Sequence, residues 1–255
     1  MVGGFRGAII AAGRGERLRR AVDDLPKPLV ELGGETMLLR QARMLHQAGA
    51  EIVVTLVNSE TARLIAARGV RTPPWMKLQV RDTPNSMESL LTLGEHLRGI
   101  RHFLLATVDA VIGAPELDRF AARAFELTAG APARFDGALA VVRWRGDKRP
   151  LFAEVGPDGA ILALGEGQSA MVTAGFYWLP AAIFDFAPRA RVERLDAMRK
   201  LLAMAAASGM RLAAVELVAT IDVDESDDLA AARAMIADTQ DSNPSANRKP
   251  EGSGV

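Results

Sequence analysis

The sequence predicts an α/β fold: a mainly parallel mixed sheet with helices on both faces and a small antiparallel insertion. Three observations lead there. Short apolar runs alternate with helical patterns through the first half, the signature of βαβ units. The run at 7–12 (GAIIAA) is unbroken rather than alternating, as a strand buried on both faces requires. From Asp136 the texture shifts to short strands separated by turns such as GPDG at 156–159.

The elements follow in order. After the strand at 7–12 comes a glycine turn at 13–18. Residues 37–48 then place Leu38, Leu39, Ala42, Leu45 and His46 at helical spacing. Strand 51–57 and helix 60–68 form the next unit, strand 77–80 and helix 86–97 the one after. Strand 102–108 (HFLLATV) ends on Asp109, and Pro115 sits in the first turn of a helix to about 127, where proline is tolerated. Strands at 138–144, 151–155, 161–164 and 172–179 make up the antiparallel insertion, which spans 136–180. A helix at about 192–208 is stopped by Gly209, a strand pair covers 212–218 and 220–223, and Ser226 is placed to cap a closing helix to about 237. One domain over 1–238 results. Residues 239–255 are polar, with Pro, Gly and Ser and no apolar period, and are expected to be a disordered tail.

Composition narrows the function. The 255 residues carry 31 Lys+Arg against 31 Asp+Glu, a formal net charge of zero. A general binder of nucleic acid or membrane surfaces would show a basic excess, so neither is an expected partner. There are no cysteines, which removes disulfides, thiolate zinc sites, iron–sulfur ligation and a Cys nucleophile together. No apolar run approaches the ~18 residues of a membrane span. The N-terminus lacks the pattern of a cleaved signal peptide, and the cytoplasm is the expected location.

The most informative stretch is AIIAAGRGERL followed by LPKPLVELGG. After a buried strand, Gly13 and Gly15 let the backbone turn tightly and bring N–H groups close to an anion. A dinucleotide-binding loop would need a third glycine where Leu18 stands, and a P-loop would need Gly-Lys-Ser/Thr; neither is present. Arg17 and Lys27 add cations at the carboxyl edge of the sheet, where open α/β sheets bind ligands. Lys27 is one of five lysines beside 26 arginines, and its two flanking prolines are expected to hold it extended.

AAGRGERL with PKPLVELGG resembles the signature of the nucleotidyltransferases that make nucleotide sugars and nucleotide-diphospho-alcohols. PNSMESLLTLGEHL (84–97) is similar to a segment of the phosphocholine and inositol-phosphate cytidylyltransferases. LLATVDAVI takes the place of their strand ending in a metal-binding Asp, VTAGFYWL that of the acceptor-side strand with a close-approach glycine, and IDVDESDDL that of a late metal-carboxylate segment. The order of these motifs over residues 5–236 carries the resemblance.

That resemblance implies a Rossmann-like fold and an Mg²⁺-dependent transfer of NMP, CMP above all, from NTP to a phosphorylated sugar or alcohol, with release of pyrophosphate. Residues Ala11, Ala12, Gly13, Arg14 and Gly15 would hold the triphosphate, and Arg17 and Lys27 would act at the reacting phosphates. Asp109 and Asp224 would hold Mg²⁺, which takes only one or two protein carboxylates. Asp222, two residues before Asp224 and expected on the same strand face, stays an open alternative for the second. Asn85, Ser86 and Ser89 would read the base, favouring CTP, although these residue types equally suit a turn and helix cap. Asp227 and Asp228 suit the helix N-terminus and its dipole.

The acceptor side departs from the family. The relatives' lysine near the GPDG turn has no counterpart in 160–168, which leaves Lys148, Arg149 and the strand glycine Gly175 as acceptor-binding candidates. Thr173 and Ala110 replace an acidic and a polar residue. Trp144, Tyr177 and Trp178 either wall the acceptor pocket or belong to the core. Two alternatives stay open: a molybdopterin-type nucleotidyltransferase, against which PKPL argues, and a catalytically silent nucleotide-binding regulatory module. A Met-rich helix near residue 200 permits a homodimer.

Overall fold

The computed structural model describes residues 4–22, 24–146, 150–167 and 169–241. The strands are β1 (Phe5–Ala11), β2 (Glu31–Leu32), β3 (Glu35–Thr36), β4 (Ala50–Val57), β5 (Met76–Val80), β6 (His102–Thr107), β7 (Ala110–Val111), β8 (Gly137–Arg143), β9 (Phe152–Val155), β10 (Ile161–Gly165), β11 (Met171–Pro180), β12 (Leu212–Glu216) and β13 (Ile221–Asp222). The helices are α1 (Glu16–Arg19), α2 (Met37–Gln47), α3 (Ser59–Ala67), α4 (Ser86–Leu97), α5 (Ala114–Thr128), α6 (Ala187–Val192), α7 (Met198–Ala207) and α8 (Ser226–Asp241).

The sheet runs β10-β9-β11-β6-β1-β4-β5, with β8 paired to β11 and β12 to β8. Strands β6, β1, β4 and β5 are parallel, and β11 enters antiparallel to β6, so the fold is the expected mixed sheet. The insertion is continuous with that sheet rather than a separate layer beside it.

Strand β1 shows why its apolar run is unbroken. Ile9 and Ala11 pack into one core with Leu38 and Leu45 of α2 and Phe120 of α5. Ala8 and Ile10 pack into the other with Leu90 and Leu93 of α4 and Leu201 of α7. Residues two apart share a face, so one strand feeds two cores.

Several expectations are corrected. The helix expected at 192–208 begins only at Met198, as α7, and is preceded by an unexpected 3-10 stretch (Ala181–Phe186), α6 and a break. Arg194 adopts φ 53°, the Leu195 N–H reaches back to the Ala190 carbonyl at 2.9 Å, and α6 stops in the manner usually signalled by glycine. The strands expected to pair near 212–223 do not pair with each other: β12 runs parallel to β8, and β13 pairs with β7. Lys27 lies in a 3-10 turn, Lys27–Leu29, and it is Pro26 before it that is extended, with ψ 137°. Ser226 is the first residue of α8, and capping falls to Asp228, whose carboxylate accepts the N–H groups of Asp224 and Glu225. That helix reaches Asp241, so 239–241 are helical; the rest of the tail, 242–255, lies outside the described residues.

Candidate active site

The carboxyl ends of β1, β4 and β6 open into a cleft of about 1310 Å³. Its floor is the glycine loop. Ala11 ends β1 and is buried, while Ala12, Gly13, Arg14 and Gly15 line the cleft. Asn58, buried at the end of β4, pins the loop by donating to the Ala12 carbonyl at 3.2 Å while its side-chain oxygen caps α3. Gly15 has φ 60° and ψ 34°, the left-handed region open to glycine. A Cβ there would also lie 3.1 Å from the Cβ of Lys27, so this glycine seats the Lys27 stem.

Lys27 is the centre of the site. Its side chain is 7% exposed, and Nζ lies 2.7 Å from Asp224 Oδ1 and 3.0 Å from Asp109 Oδ2. Burial alone would lower the ammonium pKa, but the two carboxylates outweigh it and hold the group above the ordinary lysine value. Burial likewise pushes Asp224 up, and the bond and charge of Lys27 with the charge of Arg17 bring it below the usual carboxylate range. Arg17 donates to Asp224 Oδ2 at 2.5 Å. Asp109 and Asp224 are held in register by the β7–β13 ribbon and by the Val223 N–H, which donates to the Asp109 carbonyl at 3.0 Å.

Two buried side chains of α2 grip the same segment from below. Gln41 Nε2 donates to the carbonyls of Thr107 (2.9 Å) and Ala110 (2.7 Å), and Arg40 donates to that of Ile112 at 2.7 Å. Sequence reasoning missed both. The signal was there: Gln41 interrupts the stripe Leu38, Ala42, Leu45, where a polar residue has no reason to sit unless it has partners.

Other site residues separate. Asp224 follows β13 and lines this cleft, whereas Asp222 lies on the ribbon and lines a neighbouring one, so the two do not share a strand face. Asn85, Ser86 and Ser89 all line the cleft edge, with their side chains engaged in the chain itself. Asn85 caps α4 through the Glu88 N–H, Ser86 accepts from the Met198 N–H, and Ser89 bonds Thr83 and the Asn85 carbonyl. Arg14, Arg20 and Arg63 line the cleft without an ion pair to any described residue, and Arg19 is committed to Glu60 and Asp24.

The second cleft, about 660 Å³, shares Ser86, Thr107 and Asp109 with the first. Gly175 forms part of its wall, with φ 78°; a Cβ there would meet the Ala110 Cβ at 2.4 Å and Thr107 Oγ1 at 2.8 Å. That approach accounts for the small residue at 110. Of the three aromatics only Tyr177 lines this cleft: Trp178 is core, its Nε1 bonded to Thr128, and Trp144 packs edge-on against Phe152. Lys148 and Arg149 lie outside the described residues.

Asp109 and Asp224 suit Mg²⁺: two hard carboxylates converging on a single cation beside an anion-ready loop. Among the described residues no group of three or more His, Asp or Glu is placed to cage a metal, so such an ion would share its ligands with phosphate and water. Among them, too, no helix is long and apolar enough to cross a membrane.

Known proteins share this fold. The inositol-1-phosphate CTP transferase of T. maritima superposes with a TM-score of 0.72 at 17% identity, covering 94% of this chain and 98% of that one. A putative glucose-1-phosphate thymidylyltransferase from Bacillus anthracis gives 0.76 at 16%, over 92% and 96%. At these identities the likeness is one of fold. In sequence, the mannose-1-phosphate guanyltransferase of Pichia angusta is 40% identical over 63 residues, 25% of this chain, and that of Yarrowia lipolytica 45% over 54 residues, 21% of it. The chain spans only 17% and 15% of the length of those two curated relatives. The model of the MobA-like NTP transferase domain matches residues 7–213, most of the chain, and the chain belongs to that family.

Proposed function

We propose that the protein is an Mg²⁺-dependent nucleotidyltransferase that moves CMP from CTP to a small phosphomonoester. The observation that carries this reading is Lys27, buried between Asp109 and Asp224 at the mouth of the glycine loop. An oxygen of the acceptor phosphate attacks the α-phosphorus, the bond from that phosphorus to the β-phosphate oxygen breaks, and pyrophosphate leaves. The acceptor is largely dianionic near pH 7, its second pKa being ~6, so no general base is required. The task is to bring two polyanions together and stabilise the charge that moves to the leaving group.

The chain's own groups fit that task. Loop 12–15, Arg14, Arg20, Arg63 and Lys27 all line the cleft; the loop would cradle the phosphates, the arginines would offset their charge, and Lys27 would act at the reacting group. Asp109 and Asp224 would hold Mg²⁺, which when bound neutralises triphosphate charge. The choice of CTP rests on the likeness of 84–97 to cytidylyltransferase segments, and that segment edges the cleft. A second reading, GTP, is favoured by the local identity with guanyltransferases.

The test is pyrophosphate release from each NTP with Mg²⁺ and a panel of phosphorylated sugars, inositol, glycerol and choline. Lys27→Ala and Asp109→Ala are expected to lower turnover by at least ~100-fold, with circular dichroism unchanged. Activity like that of the parent chain in either variant rules out the assignment.

A further inference from the structure

We propose that the second cleft binds the acceptor as a hydroxyl-rich phosphomonoester, a sugar or cyclitol phosphate, with its phosphate held between Arg145 and Arg199. The inference rests on the nucleotidyltransferase reading and adds the chemical class of the second substrate and the cations that receive it.

Placement comes first. The cleft shares Ser86, Thr107 and Asp109 with the nucleotide cleft, so a molecule in it abuts the reacting centre. Three arginines line it. Arg143 is paired with Glu216 at 3.4 Å, whereas Arg145 and Arg199 make no ion pair with any described residue across the cleft. Arg145 follows β8, and Arg199 stands in the first turn of α7, whose Met198 N–H is bonded to Ser86 Oγ at 3.0 Å. That bond fixes the helix carrying Arg199 to the wall common to both clefts. A phosphate dianion is matched by two guanidinium forks better than by one lysine, and the cation absent from 160–168 is thereby replaced from two other elements.

The rest of the lining argues for hydroxyls. The Asp222 and Glu216 carboxylates and the Thr173 and Thr220 hydroxyls can each accept a hydrogen bond from a substrate OH. A quaternary ammonium has no N–H to give and is recognised by aromatic faces. Tyr177 is the one aromatic among the described lining residues and is only 5% exposed, so there is no aromatic cage.

The full-length protein is first tested for Mg²⁺·NTP binding by calorimetry. It is then saturated with the α,β-methylene analogue of the nucleotide that binds, which cannot release pyrophosphate. Glucose 1-phosphate, mannose 1-phosphate, myo-inositol 1-phosphate and phosphocholine are titrated in turn. At least one hydroxylated ester is expected to bind, and phosphocholine at least about tenfold more weakly. In the double variant Arg145→Gln/Arg199→Gln the affinity for that ester is expected to fall at least about tenfold, with nucleotide affinity within about twofold. The acceptor assignment is overturned if none of the three hydroxylated esters binds, if phosphocholine binds as tightly as the tightest of them, or if the double variant binds like the parent. Nucleotide binding that persists through any of these confines the failure to the acceptor. Absence of nucleotide binding overturns the underlying reading and this inference with it.

Discussion

Gly13 and Gly175 are both glycines at the clefts, for opposite reasons. A Cβ at Gly13 would have nothing of the chain within 4 Å, and Gly13 is not among the glycines of positive φ. The fold therefore makes no demand for glycine there, and Gly13→Ala is expected to keep stability within about 0.5 kcal/mol while weakening nucleotide binding. At Gly175 the chain itself demands glycine, through a φ of 78° and the 2.4 Å approach to Ala110. Strain and overpacking together put Gly175→Ala at about 2–4 kcal/mol destabilising. Denaturant titration and nucleotide binding on both variants check the contrast; equal stability losses would refute it. Tyr177, the only tyrosine, allows a second check at this scale. Burial, with the charges of Asp222 and Asp109, pushes its phenol up to about 12, against a weaker opposing bond to Thr173. A folded pKa above the ordinary value of ~10 means the stabilisation is complete below that value and is lost as pH rises toward 12. Near-ultraviolet absorbance is expected to show no phenolate at pH 10 while circular dichroism remains native; phenolate appearing there in the folded protein would contradict the buried position.

At the scale of elements, what was legible followed from local chemistry. The α4 bounds at Ser86 and Leu97 match expectation because Asn85 caps the helix from its own neighbourhood. Strands β1, β4 and β6 were legible because burial on both faces leaves apolar residues in succession rather than in strict alternation. The α6–α7 break was not, because Arg194 carries no mark of its left-handed backbone; Pro188, within the first turn of α6, was the available sign of a helix start. Nor was the grip of α2 on the Asp109 segment, since Gln41 acts on carbonyls 66 and 69 residues away. That grip predicts a split. Gln41→Leu leaves the Thr107 and Ala110 carbonyls without these donors, at about 1–3 kcal/mol for each buried group, and frees Asp109 to shift. Nucleotide affinity without Mg²⁺ is expected to hold, while the gain on adding Mg²⁺ falls by roughly tenfold, about 1.4 kcal/mol. A merely destabilised fold would move both affinities together, and calorimetric titration with and without Mg²⁺ separates the cases.

At the scale of the whole molecule, the site joins distant parts of the chain, with Lys27 meeting partners 82 and 197 residues away. The sequence named the residues through motif order, yet nothing local stated that one lysine would stand between both carboxylates, because that follows from the sheet order and the β7–β13 ribbon. The segment from Ile221 onward lies beyond the part matched by the family model, yet it closes the site. It pairs with β7, brings Asp224 to Lys27, and sends α8 back over the N-terminal region. There the Ile236 side chain meets Gly33, and Arg233 bonds the Glu31 carbonyl at 3.2 Å. Val223, Leu229 and Ile236 are buried along it. At about 1.5–3 kcal/mol for each fully buried side chain, ending the chain at Thr220 removes about 5–9 kcal/mol, against a typical total of about 5–15 kcal/mol. Such a chain is expected to lose most of its cooperative thermal transition. Asp224→Asn keeps the strap and removes only the charge, so it is expected to melt cooperatively but to lose Mg²⁺-dependent nucleotide binding. Calorimetric melting of the two variants, with nucleotide binding on the second, separates architecture from chemistry: a shortened chain that melts like the parent would show that the strap supports the site without holding the fold.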